Sequence, residues 1–180
     1  GHYFTPHIIK KIENDTIPTK YTSKHKTTIN KNHFEPIIEG LHDVYGPNGT
    51  AWFLNASGIE ICGKTGTAEN FTKIDGERKQ LTDHSIFVAF APKDNPKIAL
   101  AILVENGYYG ARFAGRIATL MIEKYINRKI TRKDLENWVL TYTLEHEYIK
   151  PFQGEPFEIN AKSGMMTVEQ YDRILAEREQ

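Results

Sequence analysis

The sequence holds a single cysteine, Cys62, so no disulfide can close within the chain. A lone cysteine does not fix the redox compartment. Neither sign of charge is in excess: 23 basic residues stand against 23 acidic ones. That balance speaks against a nucleic-acid-binding surface. No run of apolar residues is long enough for a membrane-spanning helix. The histidines show no metal-ligand spacing, so neither a metal nor a cofactor is expected. There is no internal repeat and no low-complexity tract. No secretory signal opens the chain, and Gly1-His2-Tyr3 reads as the middle of a domain. Asn-x-Ser/Thr triplets begin at Asn14, Asn48, Asn55 and Asn70. They are read as chance, because a secreted domain of this size usually carries disulfides.

What is present is enough for one domain with a core: 180 residues of mixed pattern. Residues 3–12 look extended, and the polar stretch 13–31 looks like a loop. Asn32 followed by Glu35 suggests a capping box. A helix then follows over 33–45, with Phe34, Ile37, Ile38, Leu41, Val44 and Tyr45 on one face and Gly46-Pro47 as its stop. Three strands are expected: Ile59 to Lys64, Ser85 to Ala91 and Ile98 to Val104. The last two are almost continuously apolar, which predicts cover on both faces. The short turn at 93–96 between them predicts an antiparallel hairpin. A helix from Ala111 to Asn127 would bury Phe113, Ile117, Leu120, Met121 and Tyr125. Shorter helices are expected from Thr131, carrying Leu135, Trp138, Val139 and Tyr142, and from Thr167, carrying Tyr171, Ile174 and Leu175. Residues 148–166 read as irregular. The fold class is therefore α+β, an antiparallel sheet covered by helices.

The stretch Gly58-Ile59-Glu60-Ile61-Cys62-Gly63-Lys64-Thr65-Gly66-Thr67-Ala68 carries the chemistry. It satisfies the P-loop pattern G-x-x-x-x-G-K-T at every position. A P-loop needs a strand before Gly58 and a helix opening at Lys64. Ile-Glu-Ile-Cys instead looks like a strand itself, and no helical period follows Thr65. The other reading is the Lys-Thr-Gly strand of penicillin-binding serine acyltransferases. There a glycine lets a substrate peptide lie against the backbone, and a strand edge can pair with an extended peptide.

The surroundings decide between the two. Pro6-His7-Ile8-Ile9, Gly49-Thr50-Ala51, Gly63 to Glu69, His84 to Pro92 and Lys97 to Glu105 together resemble class B penicillin-binding proteins, most closely the elongation-specific type. The resemblance covers residues 1–127, the C-terminal part of a transpeptidase domain. Residues 128–180 read as a C-terminal helical and irregular extension to which nothing of the family is carried over. Glu69 stands where many relatives have Gln, and Gly115 where Pro is common. The resemblance implies a partial β-lactamase-like fold. It implies that Lys64 places positive charge beside the reacting serine and the substrate carboxylate. It also implies that Thr65 and Thr67 offer hydroxyls to that carboxylate, that the Thr67 amide serves an oxyanion hole, and that Gly66 and Ala68 line the peptide. The partners it implies are peptidoglycan stem peptides and β-lactams, with no nucleic acid. Membrane contact would come only through an N-terminal anchor outside this sequence. The parent protein would work at the periplasmic face of the bacterial inner membrane, and this piece would itself be soluble.

The family nucleophile is a serine in Ser-x-x-Lys, and a Ser-x-Asn motif lines the opposite wall. Ser-x-Asn is absent, and Ser-x-x-Lys occurs only as Ser23-Lys24-His25-Lys26, in a charged polar loop. The expectation is a one-wall piece of a three-motif site that is inactive alone. Asp83-His84-Ser85 cannot be a triad, since adjacent residues of a strand point to opposite faces. Cys62 reads as a buried strand residue, and Tyr108-Tyr109 equally well as the rim of a cleft or as packing loop aromatics. A D,D-carboxypeptidase or β-lactamase piece, a peptide-binding module without chemistry, and the P-loop protein remain alternatives. The apolar 98–104 edge further suggests a homodimer.

Overall fold

The computed structural model describes residues 1–56 and 58–149. The expected helix from Thr167 and nearly all of the irregular 148–166 stretch lie outside the described residues. The chain divides at Glu39/Gly40 into two compact units.

In the first unit, strands β1 (His2–Tyr3) and β2 (His25–Lys26) pair antiparallel. The Tyr3 and His25 rings stack at 5.1 Å. A short helix α1 (Thr19–Thr22) interrupts the expected loop. The helix expected over 33–45 is shorter: α2 spans Glu35–Asp43, after a 3-10 turn Lys31–His33, and its residues 40–43 already belong to the second unit. The expected capping box does not form. Asn32 sits inside the 3-10 turn, so its backbone is already committed and Asn30 takes the cap position.

The second unit is built on a three-stranded antiparallel sheet, β3 (Cys62–Ile74), β4 (Glu77–Ala91) and β5 (Ile98–Val104), in the order β3-β4-β5. Sequence reading started β3 three residues early and missed its far half. That half pairs with the start of β4 around Asp75-Gly76, whose φ angles of 54° and 83° are both left-handed. An Asp-Gly pair with two positive φ values is the two-residue turn that matches strand twist. The hairpin from β4 to β5 forms as expected, with Ala91 opposite Ile98.

Helix α3 (Ala114–Asn127) packs on β4 and β5. Its sheet-facing ridge is Ala114, Ala118 and Ile122, all fully buried. Of the expected face, Phe113 and Leu120 are buried and Ile117 is half-buried, but Met121 and Tyr125 are exposed. The alanines at i and i+4 let the start of the helix approach the sheet closely, and Ile122 one turn on fills the space beyond them. Hydropathy alone favours the larger residues and so misplaces part of the face. Phe87, Ala89, Ile102 and Leu100 meet this ridge, and Tyr45, Leu54 and Ile61 complete the core.

The other sheet face is the second correction. Cover was expected on both sides of β4 and β5. Val88 is 44 % and Leu103 59 % exposed, and Ala99 and Ala101 are exposed beside them. Among the described residues only the α3 side is covered. Helix α4 (Lys133–Thr141) then packs beside α3 through Trp138 and Tyr142, whose rings lie 5.0 and 5.1 Å from that of Phe113. A short helix α5 (Glu145–Ile149) ends the described chain.

Candidate functional site

Lys64, Thr65, Gly66, Thr67 and Ala68 lie consecutively on β3, opposite Val88, Phe87, Ile86, Ser85 and His84 of β4. Among the described residues β3 pairs only with β4, so its other edge has no strand partner. Immediately after Ala68 the register shifts at a bulge before Asn70. Bulges of this kind end regular pairing and re-aim side chains beside sites.

Alternation along β3 sorts these residues. Thr65 sits on the same face as Phe87, and Lys64 and Gly66 share the opposite face with Val88 and Ile86. Lys64 is exposed, and its ammonium Nζ donates to its neighbour's carbonyl, Thr65 O, at 2.9 Å. A Cβ on Gly66 would lie 3.3 Å from Ile86 Cβ, so a side chain there would crowd β4 as well as any ligand. The Thr65 hydroxyl meets that of Thr50 at 3.1 Å. Thr50 belongs to the Gly49-Thr50-Ala51 turn, which Ala51 N ties to Val44 O at 2.9 Å. In the sequence that turn enters only through the family resemblance; its contact with Thr65 is made by the fold.

Beneath the strand lies the turn 107–110. Gly110 packs so closely that a Cβ there would sit 2.6 Å from Gly66 O and 2.7 Å from Gly66 N. The fully buried Ser85 hydroxyl accepts from Ala114 N at 3.1 Å and lies 2.9 and 3.2 Å from the carbonyl oxygens of Tyr109 and Gly110. Its one proton goes to one of those two carbonyls at a time. Tyr108 and Tyr109, read as cleft rim or loop aromatics, are thus part of the support under Gly66. Burial pushes the Tyr108 phenol well above its ordinary pKa, and the hydrogen bond to Glu147 adds to this.

The remaining candidates fall where chemistry is absent. Ser23 ends α1 instead of opening a helix, and Lys26 lies on β2. Asp83, His84 and Ser85 follow one another on β4. Asp83 Oδ1 accepts from Asn70 and Gln80, His84 Nδ1 accepts from Asn106 N, and Ser85 faces α3. Cys62 is fully buried. No metal-binding cluster occurs among the described residues. The P-loop alternative fails on context: Lys64 and Thr65 are mid-strand, with no helix opening there.

A family model, the penicillin binding protein transpeptidase domain, matches residues 1–124. The chain is 29 % identical over 177 residues to the peptidoglycan D,D-transpeptidase MrdA of Haemophilus influenzae, covering 90 % of this chain and 26 % of that protein. It is 32 % identical over 118 residues to MrdA of Escherichia coli K12, covering 58 % of this chain and 18 % of the relative. A crystal structure of Pseudomonas aeruginosa PBP2 in complex with WCK 5153 superposes with a TM-score of 0.55 at 26 % identity, over 74 % of this chain and 28 % of that one. The chain therefore spans about a quarter or less of the curated relatives it matches.

Proposed function

Since the chain belongs to the penicillin-binding protein transpeptidase domain family, we propose that it supplies one wall of a serine D,D-transpeptidase site that cross-links peptidoglycan stem peptides and is trapped by β-lactams. The observation that carries the reading is the run Lys64 to Ala68 on a strand edge open among the described residues, with Lys64 exposed and Gly66 bare. The nucleophilic serine comes from a segment outside these 180 residues.

In this reading the stem peptide lies along the open edge of β3 and pairs with it through main-chain hydrogen bonds. The serine oxygen bonds to the carbonyl carbon of the penultimate D-alanine. The bond to the terminal D-alanine breaks, and the serine proton ends on the departing amine. The Thr67 amide donates to the developing oxyanion. Lys64 lends positive charge to the serine and to the substrate carboxylate, and the hydroxyls of Thr65 and Thr67 hold that carboxylate. Ala68 continues the peptide-lining edge. An acceptor amine from a second stem peptide then releases the acyl group. A β-lactam enters by the same attack, and its ring opens in place of the bond to D-alanine.

Residues 1–127 act as the transpeptidase part and 128–180 as an extension. The complete protein works at the periplasmic face of the inner membrane, held there by an anchor outside this sequence. Among the described residues no helix is long and apolar enough to cross a membrane. A second copy of the chain pairs along the β5 edge. The deciding experiment uses a protein that joins this chain to its Ser-x-x-Lys segment. Lys64→Ala slows acylation by a fluorescent penicillin at least about tenfold, the loss of a charged contact worth about 1.5–3 kcal/mol. Unchanged acylation kinetics would remove this strand from the site.

A further inference from the structure

Glu147 is a buried carboxylate that the proposed chemistry leaves unused. It stands on α5, beyond residues 1–124 that the family model matches. Its side chain is fully buried. One carboxylate oxygen accepts from the Thr82 hydroxyl on β4, and the other from the Tyr108 hydroxyl on the turn under Gly66. His146 Nε2 lies 2.9 Å from the latter oxygen. A buried carboxylate held only by its own helix would be strongly disfavoured. Here two hydroxyl donors from two other elements satisfy its oxygens.

The turn has little freedom of its own to stay in place. Tyr108 is left-handed at φ 65°, a conformation that costs a bulky residue energy unless its surroundings impose it. Tyr108 N donates to Asp83 O at 2.9 Å, and the Arg112 guanidinium lies 4.4 Å from the Tyr108 ring centre. Arg112 in turn donates to the Tyr142 hydroxyl at 3.1 Å, just past α4. From α5 the connection therefore runs Glu147, Tyr108, Gly110, Gly66. Every link is a hydrogen bond, a chain step or a van der Waals contact.

We propose that Glu147 is a positioning residue for the Lys64–Thr67 strand: the segment after α3 clamps the 107–110 turn, and the turn fixes the Gly66 backbone against which the peptide lies. The catalytic half of this statement rests on the transpeptidase reading. The structural half stands without it. The amide Glu147→Gln keeps both bonds, because its carbonyl accepts from Tyr108 and its NH2 donates to the Thr82 oxygen. Glu147→Ala loses both, and Tyr108→Phe loses one.

Amide hydrogen exchange on the 180-residue chain tests the clamp first. In Glu147→Ala the protected amides among residues 63–67 and 107–111 exchange at least about tenfold faster, while those of β5 and the middle of α3 keep their rates. Glu147→Gln stays near wild type. Should Glu147→Ala fail to fold, Tyr108→Phe gives the same regional pattern. Unchanged exchange at 63–67, or equal acceleration everywhere, overturns the clamp. In the protein joined to its serine-bearing segment, Glu147→Ala lowers the maximal acylation rate by a penicillin several-fold and leaves the half-saturating concentration alone. Glu147→Gln restores the rate. Regional loosening with no change in acylation refutes the catalytic half alone.

Discussion

The hydroxyls of Thr50 and Thr65 lie 3.1 Å apart, joining the Gly49-Thr50-Ala51 turn to the middle of β3. Either oxygen can donate, so the pair fixes the rotamer of Thr65 without exhausting it. A Thr65 hydroxyl that holds a substrate carboxylate needs that fixed orientation before binding. Thr50→Val removes the partner and keeps the shape. One side-chain hydrogen bond is worth about 1 kcal/mol, so penicillin acylation of the serine-bearing protein falls about fivefold. Thr50→Ser keeps the wild-type rate. Equal rates in all three proteins would take Thr50 out of the site.

The second expectation concerns the chain by itself. Ser23 closes α1 and has no buried helix start behind it. Ser85 is locked by Ala114 N and the carbonyls of the turn, and Cys62 is fully buried. None of these is an activated nucleophile at an open cleft. The 180-residue chain incubated with a fluorescent penicillin shows no labelled band on a denaturing gel. A band that persists in Ser23→Ala would reveal another reacting residue and refute the proposed placement of the nucleophile.

How much of this was legible depended on the kind of signal. Ile98 to Val104 was found with its bounds, because a seven-residue apolar run between turns has few other uses. The β3–β4 extension was missed because residues 69–84 hold only Phe71, Ile74 and Leu81 as large apolar side chains, too few for an alternating pattern, although Asp75-Gly76 carried the turn signal. The buried face of α3 was legible at Phe113 and Leu120 but not at Ala114 and Ala118, which hydropathy underweights, so Met121 and Tyr125 were wrongly expected inside. At the site, Lys64 to Ala68 were readable as a motif. The Thr50 contact and the Gly110–Gly66 approach were not, since they join residues 15 and 44 positions apart through tertiary packing. Glu147 reads as one more charge in a polar tail until Thr82 and Tyr108 are placed around it.

The free side of β5 bears on association. The strand Ile-Ala-Leu-Ala-Ile-Leu-Val carries no charge and no proline, and among the described residues it pairs only with β4. Natural edges usually carry such devices against pairing. The 180-residue chain therefore dimerises edge to edge as its concentration rises. Leu103→Lys, at an exposed position, places like charges near the twofold axis and returns it to a monomer. Light scattering across a dilution series reads both. A wild-type chain that stays monomeric at every concentration contradicts edge pairing.

Glu123 gives the stability a pH limit whose sign follows from its partners. Burial alone would raise the carboxyl's pKa above the ordinary 4.5, but hydrogen bonds from the Thr131 hydroxyl and backbone, together with Arg132, hold it below that value. Thr131 N lies 2.7 Å from Oε1 and Arg132 Nε 2.9 Å from Oε2. The charged form is thus favoured more in the folded chain than in the unfolded one. Its contribution is complete above the unfolded pKa near 4.5 and is lost as pH falls through the lower folded value. Arg132 also donates to Leu54 O at 3.0 Å, so this carboxylate fastens the start of α4 to the core. Urea unfolding as a function of pH separates this group from the others. Glu123→Gln is less stable than wild type at neutral pH, and the gap closes as pH falls below 4.5. A gap that stays constant down to the acid limit would show that the charge on Glu123 contributes nothing beyond its hydrogen-bond geometry.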